Sequence, residues 1–139
     1  METQFVQEPA AADDYQRQRA TELLYAQGMQ LHGIDRFADA AAVFRLMLRV
    51  APSDERGWLA LGDCHQQVSQ NEVALELYAA GMIAAEPAPL CAIARFRALW
   101  DLDRLMEADD AFAEAERLAD EGSDPSLIHQ LAQERQARP

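Results

Sequence analysis

Apolar residues recur every three or four positions along most of this chain, the spacing of one helix face, and each such run ends at a breaker. The pattern predicts helices at about 14–33, 37–50, 55–69, 71–85, 89–102 and 105–120. Pro52 and Pro87 stand where the second and fourth must stop, since proline cannot continue a helix. Gly122-Ser123-Asp124-Pro125 breaks the sixth, and Pro125 suits the first position of a short last helix, about 125–137. Residues 1–13 carry Pro9 and an alanine run without an apolar stripe, and read as a flexible N-terminal tail. The runs come in pairs that match at an offset of 34: Gly28 with Gly62, Ala40 with Ala74 and Ala108, Phe44 with Tyr78 and Phe112, Leu24 with Trp58.

Each column has a steric reason. The first helix of a pair carries a large residue (Leu24, Trp58) and, four positions on, a small one (Gly28, Gly62). The second helix carries alanine at its closest approach (Ala40, Ala74, Ala108), so the two can cross tightly. The aromatic one turn later fills the wedge between pairs. Thirty-four is the tetratricopeptide period. The expected fold is all-α: three tetratricopeptide-type helical hairpins in a right-handed superhelical stack over 14–120, with repeats at about 21–54, 55–88 and 89–122. Residues 123–139 form a short C-terminal helix and tail that cap the open end. In the third repeat Phe96 stands in the glycine column and Arg95 replaces an apolar residue, so the rotation of its first helix is left open. Its second half (Leu105, Ala108, Phe112, Ala115) fits.

Composition narrows the function. A chain of 139 residues suits one continuous core. The net charge of −12 sets it against phosphate backbones and anionic membrane surfaces, so neither nucleic acid nor stable membrane insertion is expected. All 12 basic residues are arginine, which excludes P-loop and Schiff-base chemistry, both of which need lysine. Cys64 and Cys91 make no disulfide framework or zinc pattern. Met1–Asp14 has neither the basic nor the apolar segment of a secretory signal, and no apolar run is long enough to span a bilayer, so a cytoplasmic location is expected. Cys64 and His65 point about 100° apart on a helix and read as packing residues rather than a nucleophile pair. His32 and His129 have no ligand-spaced companion, and Asp109-Asp110 has nothing to bury or orient it. No enzyme activity, metal or cofactor is expected. Asp101–Asp124 carries ten carboxylates against Arg104 and Arg117, and reads as a solvated outer face or a patch that docks a basic partner.

Binding remains. First helices line the concave face of such a stack, and four positions of each repeat point there: Glu22, Tyr25, Met29 and His32; Arg56, Leu59, Asp63 and Gln66; Leu90, Ile93, Arg97 and Trp100. Tyr25, Met29, Leu59, Ile93 and Trp100 make an apolar stripe suited to an apolar peptide, because methionine adapts its shape and aromatic rings offer area at low entropy cost. His32, Asp63, Gln66 and Arg97 can hydrogen-bond the backbone of an extended segment, which has no partners of its own. A clamp for a C-terminal carboxylate needs Lys, Arg and Asn at positions that here hold Tyr25, Met29, Leu59, Asp63, Ile93 and Arg97, and is rejected.

Several stretches are more specific than the general repeat. Leu61-Gly62-Asp63-Cys64-His65-Gln66 followed by Gln70, then Ala74, Tyr78, Gly81 and Glu86-Pro87, resembles the class II, tetratricopeptide-type translocator chaperones of bacterial type III secretion. So do Leu24-Tyr25 before Gly28, then Phe37, Ala40 and Phe44, and in the third repeat Leu105, Ala108 and Ala115-Glu116-Arg117-Leu118. The resemblance covers roughly residues 20–120. It implies a cytoplasmic chaperone that holds hydrophobic secreted translocator proteins, bound as an extended segment in the concave groove, before export. It places Tyr25 and Leu59 at groove-lining positions. The family's dimers form through an N-terminal helix, for which this N-terminus is short and acidic, so monomer and weak homodimer both stay open. A scaffold unrelated to secretion is the other reading of the same fold.

Overall fold

The computed structural model describes the backbone of residues 2–138 and the side chains of residues 13–138. These residues form seven helices: α1 (Glu2–Gly33), α2 (Phe37–Val50), α3 (Glu55–Gln67), α4 (Asn71–Ala84), α5 (Pro89–Asp101), α6 (Leu105–Glu121) and α7 (Pro125–Ala137). α1 packs on α2, α3 on α4 and α5 on α6, and each hairpin stacks on the next through α2–α3 and α4–α5.

One turn closes every hairpin. Asp35, Ser69 and Asp103 take left-handed backbone, at φ 63°, 64° and 61°. Their N–H groups donate to the carbonyls of His32, Gln66 and Trp100, and those of the next residues, Arg36, Gln70 and Arg104, donate to Leu31, His65 and Leu99 at 2.9, 2.9 and 3.0 Å. This pair of bonds satisfies carbonyls that a helix end leaves open. Ser123, at φ 49°, ends α6 with the same pair of bonds. At the other ends, Asp54 accepts the Arg56 N–H and caps α3, while Asp124 accepts those of Ser126 and Leu127 and caps α7. α5 has no side-chain cap from its own flank. Glu55 supplies one from α3, its Oε1 accepting the Cys91 N–H at 2.9 Å.

The core runs along the stack. Its first layer holds Ala40, Phe44, Met47, Leu61 and Cys64; the next runs from Tyr78 through Ile93, Phe96 and Phe112 to Leu131. A methyl group added at Gly28 would overlap the Phe44 ring, and one at Gly62 the Tyr78 ring. Those two glycines are what let each first helix lie on its aromatic partner. Arg104 pairs with Glu72 and Glu107, and Arg117 with Glu114 and Glu121, on the acidic face of α6.

Two expectations need correction. Residues 2–13 are part of α1 rather than a flexible tail. Glu, Gln and Ala, all helix formers, dominate the segment. Ile93 and Trp100 do not face the groove. Phe96, in the glycine column, meets Phe112 edge-on at 5.0 Å between ring centres, where Gly28 and Gly62 leave room for a single aromatic ring. Ile93 lies in the core, 1% exposed, and Trp100 packs beside Phe96 at 6.3 Å. Trp100 instead borders a separate hollow of about 240 Å³ with Phe112, Asp109, Arg135 and Arg138.

α7 covers the last hairpin. Leu131 is buried, the Arg135 guanidinium lies 4.6 Å from the Phe112 ring centre, and Glu134 accepts a hydrogen bond from Arg97 Nε at 2.6 Å. Among the described residues no helix is long and apolar enough to cross a membrane.

Candidate functional site

The first helices of the three hairpins, α1, α3 and α5, run side by side and line a groove of about 500 Å³. Because each hairpin repeats the last, groove residues fall into rows that cross all three helices. Tyr25, Leu59 and Ala94 form one row, Met29, Asp63 and Arg97 the next, and His32, Gln66 and Asp101 the third, with Leu90 and Arg56 beside the first. Polarity rises from row to row.

Of the residues expected here, Tyr25, Met29, His32, Leu59, Asp63, Gln66 and Arg97 do line the groove, and Ile93 and Trp100 do not. Ala94 and Asp101 take their places. Tyr78 also reaches the groove, although its column marks it as core: its ring is buried, and its hydroxyl donates to Gln66 Oε1 at 2.6 Å. No signal in the sequence separates that hydroxyl from the ring's packing role.

Hydrogen bonds fix the polar side chains. His32 Nε2 and Asp63 Oδ2 are 2.5 Å apart, joining α1 to α3, and the His32 ring stands edge-on to Phe37 at 5.1 Å. Arg56 grips Glu22 through both terminal nitrogens at 3.2 and 2.7 Å, and Asp54 through Nε and Nη2 at 3.1 and 2.8 Å. Its guanidinium carbon lies 4.5 Å from the centre of the Tyr25 ring, so the network also holds that ring in place. The hydrogen bond from Arg56 holds the Glu22 and Asp54 carboxyls below their usual range and raises the pKa of Arg56 in turn.

Beneath the groove the chemistry is inert. Burial pushes the Cys64 thiol up to about 11 and the Cys91 thiol to about 12, so neither is a thiolate at neutral pH. Burial likewise raises the Tyr78 hydroxyl and keeps it a donor. It raises Glu55 as well, against the opposing pull of the Cys91 and Leu90 N–H groups. Among the described residues no group of three or more His, Cys, Asp or Glu side chains is placed to hold a metal ion. The arrangement can do one thing well, which is to seat an extended apolar segment along one side and hydrogen-bond it along the other.

No family model and no curated protein matches the sequence. Solved structures do match the fold. The type III secretion translocator chaperone SycD of Yersinia enterocolitica superposes with a TM-score of 0.75 at 23% identity, over 84% of this chain and 88% of its own. PcrH from Pseudomonas aeruginosa gives 0.73 at 25%, over 84% and 89%. PcrH in complex with the chaperone binding region of PopD gives 0.71 at 26%, over 84% and 88%. The chain therefore has the fold of the type III secretion translocator chaperones and resembles that family over more than four fifths of its length.

Proposed function

We propose that this chain is a cytoplasmic chaperone of a type III secretion system that holds hydrophobic translocator proteins through its groove until export. The observation that carries the reading is the groove itself, in which Tyr25, Met29, Leu59, Leu90 and Ala94 make an apolar floor continuous across three hairpins. A similar chain, PcrH, binds the chaperone binding region of PopD. Tyr25, Met29, His32, Leu59, Asp63, Gln66 and Arg97 are the residues we assign to client contact. A binding role is in keeping with SycD, a similar fold that is named a chaperone.

Capture from the source cells with this chain as bait, followed by identification of what is retained, tests the reading. It predicts a large protein with membrane-spanning segments that stays in solution only when co-expressed with this chain. A folded partner that is soluble alone would point instead to the scaffold unrelated to secretion.

A further inference from the structure

Arg56 and Arg97 both line the groove, and they are held differently. All three guanidinium nitrogens of Arg56 donate to the carboxylates of Glu22 and Asp54. Arg97, on α5, is gripped along one edge. Its Nε donates to Glu134 Oε1 at 2.6 Å, its Nη2 meets the same oxygen, and among the described residues its Nη1 has no hydrogen-bond partner. Glu134 belongs to α7, which packs chiefly on α6, so its carboxylate reaches beyond that helix to α5. The other oxygen, Oε2, is bound by Arg138 one turn on, and the Glu134 side chain is 13% exposed. A carboxylate so shielded and held on both oxygens has one orientation, and it imposes one on Arg97.

Resting on the groove reading above, we propose that Glu134 of α7 is a positioning residue for client binding: it holds Arg97 so that Nη1 donates to a backbone carbonyl of the seated segment. The guanidinium is a planar fork, so a grip on its Nε–Nη2 edge leaves Nη1 pointing away from α7. An arginine side chain loses much rotamer freedom when it is immobilised. Glu134 has already imposed that order, so the client meets a donor at a fixed place in the row that Arg97 shares with Met29 and Asp63. α7 is then more than the cover of the last hairpin. Whatever the docked α7 adds to client affinity, the client adds equally to the docking of α7, because coupling between two equilibria is reciprocal.

The probe that tests this is the tightest-binding peptide of an overlapping synthetic set spanning the protein captured with this chain, titrated against the full-length protein. Arg97→Met should weaken binding by about fivefold, the effect of losing one hydrogen bond. Glu134→Ala should weaken it by a similar factor, and Glu134→Gln, which keeps an acceptor oxygen for Arg97, by less. The double variant, Arg97→Met with Glu134→Ala, should bind no more weakly than either alone, whereas a Glu134 that acted independently of Arg97 would give factors that multiply. Saturating peptide should also slow amide exchange across α7 in the parent protein, by up to about the same fivefold, and should not do so in Arg97→Met. Unchanged binding by Glu134→Ala, factors that multiply in the double variant, or exchange in α7 that is indifferent to the peptide overturns the proposal and leaves the groove reading intact. No retention of any peptide, or retention unchanged in Tyr25→Asp, overturns the groove reading itself.

Discussion

Asp35, Ser69 and Asp103 occupy one point of three successive hairpins, and all three hold a backbone conformation that side chains resist. Glycine adopts it freely, so Ser69→Gly, at an exposed turn, should stabilise the fold by about 1 kcal/mol, read as a raised denaturation midpoint. The opposite holds where space rather than backbone is limiting. Gly62→Ala forces a methyl group into the Tyr78 ring, and should cost about 1–3 kcal/mol in the same measurement. The two sites were not equally legible. The glycine columns stand out because residue size repeats every 34 positions. The turn repeats just as strictly, but through a torsion that Asp and Ser share with many other contexts, and residue type alone does not mark it. The ties of Glu22 to Arg56 and of Glu55 to the α5 N-terminus were hidden for another reason: each spans a whole repeat, and only the superhelix brings its ends together.

At the scale of elements, caps and cross-ties decide where helices begin and how hairpins hold together. Asp54 caps α3 and binds Arg56, and these bonds lower its pKa. A carboxyl depressed in the folded state stabilises it above the unfolded pKa and loses that contribution as pH falls through the folded value. Asp54→Ala should therefore cost about 1 kcal/mol at pH 7, and the gap from the parent protein should close as the pH is taken down through the acid range. α7 is held by Leu131, so Leu131→Ala should cost about 2–3 kcal/mol and speed amide exchange in α7 and α6 ahead of α2 and α3. Helix positions after residue 14 could be read from apolar spacing and the proline stops, because each helix must bury one stripe. The start of α1 could not, since residues 2–13 have helical composition without a stripe. The facing of Ile93 and Trp100 escaped as well: the Phe96 anomaly was visible, but which residues of α5 reach the groove depends on how Phe96 packs against Phe112.

For the whole molecule, the proposed function rests on what three hairpins make together that none makes alone. Tyr25, Leu59 and Ala94 belong to different repeats, yet they form one row of a single groove. Most of that groove could be anticipated from repeat position, since the second, fifth, ninth and twelfth places of a first helix face inward by geometry. Its ion pairs could not, because Arg56 meets Glu22 and Arg97 meets Glu134 across separate helices. The most direct test of the account is client binding by Tyr25→Asp and Leu59→Asp, measured by co-purification with the captured translocator and paired with circular dichroism. Neither side chain is fully buried, so both variants should keep their helical signal while client recovery is lost. Full client recovery by both variants, with helicity unchanged, would contradict the assignment of the groove as the client's seat.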